Sequence, residues 1–341
     1  FEAINNAGHL GRQLTVILND NEMSISPNVG AISKYFTRLI SNPTYNTLKT
    51  EAWEITKKLP LARGTIQSFL SRLDKSIKNI IVPGMLFEEM GFRYFGPIDG
   101  HDLDELLKTL DTIKDIDRPV LLHVITKKGK GMSVAEDDPV KYHGVKANGS
   151  IKKNINKIVV PSFQDVFGHL SCEIAENRKD VVCITAAMRE GTGLVPYEKK
   201  FADRYYDVGI AEGHAVTFSA GLATQGIRPI VAVYSSFLQR AFDHIVHDVS
   251  IQDLPVIFCM DRAGIAGEDG PTHHGSLDIA YFRCIQGMVL AAPKNGNEFR
   301  HLLYTALNHS GPFGIRYPKY SSVEFDKNGQ AKLLPIGSWE V

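Results

Sequence analysis

Short unbroken apolar runs recur along this chain, and several end in a burst of polar residues. LTVIL (14–18) runs into Asn19-Asp20-Asn21-Glu22-Met23, and PVLLHVIT (119–126) into Lys127-Lys128-Gly129-Lys130-Gly131. VVCIT (181–185), RPIVAVY (228–234), PVIFCM (255–260), MVLAA (288–292) and FGIRYP (313–318) follow. A run of four to eight apolar residues suits a strand buried on both faces of a parallel sheet. Helical patterns fill the gaps: one capped by Asp102 or a neighbour with Leu103, Leu106, Leu107 and Leu110 on one face, 163–177, a small-residue helix opened by Glu212, a long helix from about 237 to 251, and one through HLLYTAL. Strands alternating with helices at this spacing define an α/β chain with two doubly wound parallel-sheet domains.

The 341 residues suffice for two such cores, at roughly 100–200 residues per domain. The first is expected over 1–145 and the second over 161–320, with the Asn-rich, basic stretch 146–160 as linker and 321–341 as the start of a third domain. FEAINNAGHLG reads as the last turns of a helix ending at Gly8, so the chain is expected to be a piece of a longer protein. Residues 24–84 lack a sustained period and are expected to form irregular helices. The formal charge is +0, which gives no field favouring nucleic acid or an anionic membrane. No apolar run approaches the ~20 residues of a membrane span. Cys172, Cys183, Cys259 and Cys284 sit in apolar contexts without CxxC spacing and read as reduced core thiols of a cytosol-like compartment.

Ligands of open parallel sheets bind outside the carboxyl ends of the strands, where these polar bursts lie. An Asn amide oxygen in the first burst and a backbone carbonyl two residues on offer a hard cation such as Mg²⁺ two oxygen ligands; an ordinary turn is the competing reading. Glycines beside lysines in the second suit a phosphate, or form a solvated loop. Glu212 opens a helix slimmed by Ala215, Ser219, Ala220 and Ala223, where a first-turn carboxylate ordinarily serves the helix dipole. Arg262 follows a strand directly, and its fork fits a phosphate or a salt bridge. Asp269 and His273 lie four apart in a glycine-containing loop, Tyr234 ends a strand, and Phe237 reads as core. His101 reads as a histidine satisfied by backbone near a helix cap.

Taken together, ILNDNEMS (17–24), AEGH (211–214) and DRAGIAGEDGPTHHG (261–275) resemble the 1-deoxy-D-xylulose-5-phosphate synthases, thiamin diphosphate enzymes related to transketolase. The resemblance runs from Phe1 to about Lys319 and implies two thiamin diphosphate-binding-type domains. It implies that Asn21 and the Met23 carbonyl hold Mg²⁺ and the cofactor diphosphate, with Lys128 near the phosphates. A third metal ligand, an Asp of a GDG motif, would precede Phe1, leaving the metal site incomplete in this chain. Glu212 would promote the reactive tautomer of the aminopyrimidine, Phe237 would stack on that ring, and His143 of YHGV would face the reacting centre. Tyr234, Arg262, Asp269 and His273 would bind a phosphorylated aldehyde. The family's YPRG motif stands here as Tyr317-Pro318-Lys319-Tyr320, so Lys319 keeps the charge without the fork, and Arg316 is a candidate to compensate.

The activity implied is decarboxylation of pyruvate and transfer of the two-carbon unit to D-glyceraldehyde 3-phosphate, yielding 1-deoxy-D-xylulose 5-phosphate for isoprenoid and thiamin synthesis. A homodimer in a bacterial cytoplasm or a plastid is the implied setting. A transketolase, a dehydrogenase E1 component and a non-catalytic fragment are the rivals; YHGV, SSFLQRAFDH and AGEDGPTHHG argue against the E1 enzymes.

Overall fold

The computed structural model describes residues 2–31, 84–144 and 160–339. The chain divides into two compact units, Phe1–Lys146 and Ala147–Val341. The irregular helices expected within 32–83, and the linker apart from its last residue, lie outside the described residues.

In the first unit, α1 (Glu2–Leu10), β1 (Leu14–Asp20), α2 (Met85–Glu89), β2 (Arg93–Asp99), α3 (Leu103–Ile113), β3 (Pro119–Ile125) and α4 (Ser133–Asp137) follow in order. The three described strands pair in parallel as β1-β3-β2. The central strand β3 is covered on both faces, by Phe87 and Phe92 against Leu121, and by Leu106, Leu110 and Ile113 against Val120, Leu122 and Val124. Three local expectations need correction. Helix α1 runs past Gly8 to Leu10, and Gly11 at φ +60° takes the left-handed position that ends it. Gly8 instead permits a close approach, since a Cβ there would lie 1.7 Å from the Met90 carbonyl oxygen. Strand β1 is not buried on both faces: Leu14 and Ile17 stay exposed, and among the described residues it is the edge of the sheet. On α3, Asp102 caps the helix as expected, but Leu103 and Leu107 face outward at 66% and 64% exposure. The stripe packed on the sheet is Leu106, Leu110 and the fully buried Ile113, at the i, i+4, i+7 spacing of one helix face.

In the second unit the described strands β4 (Val181–Thr185), β5 (Tyr205–Asp207), β6 (Arg228–Tyr234), β7 (Ile257–Asp261), β8 (Val289–Ala291) and β9 (Phe313–Arg316) form one parallel sheet of order β5-β4-β6-β7-β9-β8. Helix α5 (Phe163–Asn177) starts at a capping box in which Ser162 and Asp165 bond each other's backbone N–H. With α6 (Gly296–Asn308) it covers one face through Phe163, Phe167, Phe299, Phe313 and Tyr317. The other face carries α7 (Glu212–Ala223), whose Ala215, Val216, Ala220 and Ala223 pack on Val182, Ile184, Val231 and Val233. A doubly wound α/β unit results. The long helix expected over 237–251 is broken: a helical turn Ser235–Leu238, a 3₁₀ turn Gln239–Ala241, a short turn Phe242–His244 and a π-helical stretch Ile245–Ser250 replace it. Residues after β9 return to this unit, where the Leu334 amide donates to Thr305 Oγ1 at 3.0 Å. Cys183 and Cys259 are buried free thiols and Cys172 is half-buried, but Cys284 is exposed rather than a core residue.

Candidate active site

In the first unit, the carboxyl ends of β1 and β3 meet a polar turn. Asp20 Oδ1 accepts the Glu22 N–H at 3.0 Å, which holds Glu22 at φ +58°. Asn21 Oδ1 accepts the Met23 N–H, also at 3.0 Å, and Met23 bridges back to Pro27. From β3, Thr126 donates to Asn19 Oδ1 at 2.7 Å, and Lys128 Nζ donates to the Ser24 and Ile25 carbonyls at 2.6 and 3.3 Å. Burial lowers the Lys128 pKa. A cavity of about 300 Å³ lies here, with Asp20, Asn21, Met23, Thr126, Lys127 and Lys128 among its walls. Lys127 is neutralised by Glu136 at 2.5 Å, so Lys128 is the lysine of the run that turns onto the 24–25 backbone. His143 closes a 3₁₀ turn, Lys141–His143; desolvation, then the Lys128 charge, hold its pKa below the usual imidazole value. His101 accepts the Lys127 N–H at 2.9 Å, in keeping with a backbone-satisfied histidine.

In the second unit, Glu212 is the first residue of α7 and is 2% exposed. Its Oε1 accepts Arg240 Nη1 at 3.0 Å, and the same guanidinium lies 5.4 Å from the Phe237 ring centre. Phe237 stacks with Tyr234 at 5.6 Å and meets the His273 ring edge-on at 5.1 Å. A single side chain, Arg240, thus joins the buried carboxylate to the aromatic cluster. Sequence reasoning passed over Arg240, although its place three residues after Phe237 on a helical turn puts both on one side. The slim helix has a reason: a Cβ at Gly213 would lie 2.7 Å from the His244 ring.

Arg262 sits in the left-handed region at φ +58° and is almost fully buried. Its Nη1 donates to the Gly191 carbonyl at 2.5 Å and lies 3.1 Å from Asp261 Oδ1, while its guanidinium carbon lies 4.0 Å from the Tyr234 ring centre. Burial raises the Asp261 pKa to about 6 against the opposing pull of Arg262, and pushes the Tyr234 phenol up to about 12. Asp269 lies 3.5 Å from Arg262 Nε and 2.5 Å from Lys319 Nζ. Burial raises the Asp269 pKa, but Lys319 and Arg262 outweigh it and hold the carboxyl below its ordinary value. The loop bearing Asp269 and His273 is closed at its neck, where Gly264 and Gly275 exchange two backbone hydrogen bonds of 2.8 Å. Arg316 is engaged at a buried carboxylate: its Nε bonds the fully buried Asp278 at 3.0 Å, which also accepts from Ser235 Oγ at 2.9 Å. A larger hollow of about 890 Å³ beside α5 is lined by none of the candidate residues.

The structure therefore brings Asn21, Met23, Lys128 and His143 to one end of the first sheet, and Glu212, Tyr234, Phe237, Arg262, Asp269, His273 and Lys319 to one end of the second. Residues 160–322 match the family model described as "Transketolase, pyrimidine binding domain", so the second unit resembles the transketolase class of α/β domains. Residues 1–126 match the model described as "1-deoxy-D-xylulose-5-phosphate synthase". The chain is similar to that family. It is 50% identical over its full length to the 1-deoxy-D-xylulose-5-phosphate synthase of Thermomicrobium roseum, covering 54% of that protein, and 50% identical to that of Aquifex aeolicus with the same coverage. It thus spans about half the length of the curated relatives it matches. A solved transketolase from Campylobacter jejuni aligns with 95% of this chain and 55% of its own, at 17% identity and TM-score 0.45.

That similarity implies thiamin diphosphate, and the described residues supply part of a site for it. Asn21 Oδ1 and the Met23 carbonyl are oxygen donors two residues apart beside an inward lysine, a donor set for a hard cation with phosphate. Glu212 is a buried carboxylate joined through Arg240 to the Phe237 ring, an acceptor and an aromatic surface of the kind a flat heteroaromatic amine needs.

Proposed function

We propose that the protein to which this chain belongs condenses pyruvate with D-glyceraldehyde 3-phosphate, releasing carbon dioxide and forming 1-deoxy-D-xylulose 5-phosphate. The observation that carries the reading is the buried Glu212, bonded by Arg240 beside Phe237. When bound, thiamin diphosphate supplies a nucleophilic thiazolium carbon and a sink for the electrons released on decarboxylation. Asn21 and Met23, with Mg²⁺, and Lys128 hold the diphosphate; Phe237 packs on the pyrimidine, and Glu212 shares a proton with its ring nitrogen. Arg262 and Lys319 bind the acceptor phosphate, with Tyr234 beside it, while Asp269 and His273 orient the aldehyde and its hydroxyl. His143 takes part in proton transfer near neutrality. A homodimer in the cytoplasm is the expected form.

The test is to incubate the protein with both substrates, thiamin diphosphate and Mg²⁺ and to follow the product by mass spectrometry. Formation by wild type and loss in Glu212→Gln supports the reading. Two-carbon transfer from ketose phosphates without pyruvate would favour a transketolase instead. Absence of cofactor binding by isothermal titration would mark a non-catalytic fragment.

A further inference from the structure

A histidine inside the central strand of the first unit is wired to the turn that carries Asn21 and Met23. His123 lies in the middle of β3 and is 1% exposed, and no role in the proposed chemistry has been given to it. Its Nδ1 lies 2.7 Å from the Tyr94 hydroxyl on β2, and its Nε2 lies 3.2 Å from Asp20 Oδ2 at the end of β1. Asp20, a carboxylate, only accepts, so Nε2 carries the proton and Nδ1 accepts from the Tyr94 O–H. This is the neutral imidazole that burial favours. The other Asp20 oxygen accepts the Glu22 N–H at 3.0 Å, across the left-handed residue that separates Asn21 from Met23.

We propose that Tyr94 and His123 are positioning residues: through Asp20 they hold the Asn21–Met23 turn in the geometry that presents two oxygens to the metal–diphosphate group. The relay spans all three strands of the described sheet in the order β2, β3, β1. Its inner end is fixed by close packing, since a Cβ at Gly96 would lie 2.4 Å from the His123 carbonyl oxygen. At its outer end stands Glu22, a non-glycine residue at positive φ, a strained conformation that persists only where neighbours impose it. An isolated core histidine would need a partner for each nitrogen but would not need the second partner to be the carboxylate that clamps this turn.

The inference rests on the proposed function for the identity of the ligand, so the test has two separate readouts on wild type, His123→Phe and Tyr94→Phe. Tyr94→Phe removes one hydroxyl and keeps the ring stacked on Phe87 at 6.3 Å, which guards against loss of the fold. The first readout is hydrogen–deuterium exchange without ligand. Exchange in a peptide covering 19–25 should rise about tenfold in His123→Phe and less in Tyr94→Phe, while the 103–113 helix is unchanged. The second is the apparent Mg²⁺ dissociation constant with thiamin diphosphate present, which should rise about tenfold and be overcome by excess Mg²⁺, as when groups supporting a metal ligand are lost. Unchanged exchange at 19–25 in both variants, or an equal rise throughout the unit in both, overturns the inference. If wild type takes up no Mg²⁺–thiamin diphosphate, the proposed function fails, while the exchange readout still decides whether the relay holds the turn.

Discussion

Lys319 and Asp269 form an ion pair of 2.5 Å at the mouth of the second unit's loop, and the pair occupies the cation that an incoming phosphate would seek. Arg262 touches the same carboxylate at 3.5 Å but keeps a planar fork, which Lys319 lacks. Arg262→Ala is expected to raise the KM for glyceraldehyde 3-phosphate by about 10- to 100-fold, since a charge-assisted bond contributes about 1.5–3 kcal/mol. Lys319→Ala should raise it less, because the lysine must leave Asp269 to bind. Steady-state kinetics check this, with the KM for pyruvate as internal control; an unchanged acceptor KM in Arg262→Ala would remove the loop from the substrate site.

Glu212→Gln keeps the size and polarity of the side chain and a hydrogen bond to Arg240, but removes the carboxylate. Cofactor affinity should fall only modestly, and deuterium exchange at the thiazolium carbon should slow by orders of magnitude. If Glu212 served only the dipole of its helix, exchange would be normal and stability would drop by about 0.3–1 kcal/mol. Exchange measured by proton NMR on bound cofactor separates the two outcomes.

Asp261 gives a pH dependence of definite sign. Its pKa rises from 3.8 in an open chain to about 6 when folded, burial being the main cause. The native state therefore holds a proton that the unfolded chain releases between these values. The stability from this group is full below pH ~4 and is lost as pH rises through about 6, by at most a factor of ten in the unfolding constant per pH unit. Asp261→Asn should flatten that part of the curve relative to wild type. Denaturant midpoints measured from pH 4 to 7 in both proteins provide the check, and parallel curves would contradict the assignment.

Gly275 has no room for a side chain: a Cβ would lie 2.3 Å from Ser235 Oγ and 2.5 Å from the Arg262 carbonyl oxygen. Gly275→Ala should cost about 1–3 kcal/mol and open the loop neck before it disturbs β6 or β7. Thermal melting with peptide-resolved exchange reads both effects; equal exchange in loop 264–275 of the two proteins would refute the steric argument.

The strand–helix alternation was readable because an apolar run needs a neighbour on each face, and β3 and β7 have both. LTVIL looked the same, yet Leu14 and Ile17 stay exposed in it, since a run records what a strand prefers and not what covers it. The 237–251 helix was misread for a related reason: apolar periodicity does not register the π-helical stretch at Ile245–Ser250. Most of the candidate site was legible only through motifs, as with Glu212, whose partner Arg240 lies 28 residues away in sequence and is joined to it by folding. His123 was invisible for the opposite reason. A lone histidine in an apolar strand has the pattern of core, and only the positions of Tyr94 and Asp20 on the flanking strands give it two partners.

The hydrogen-bonded neck between Gly264 and Gly275 bears on how tightly the second unit can hold a small ligand. A free loop of this length explores many shapes, and a ligand that freezes it forfeits part of its affinity to the lost disorder. Here the ends are already joined, so that loss was incurred when the chain folded. Asp269 and His273 then meet an incoming molecule as parts of a preset ring, and more of the contact energy they provide remains as affinity.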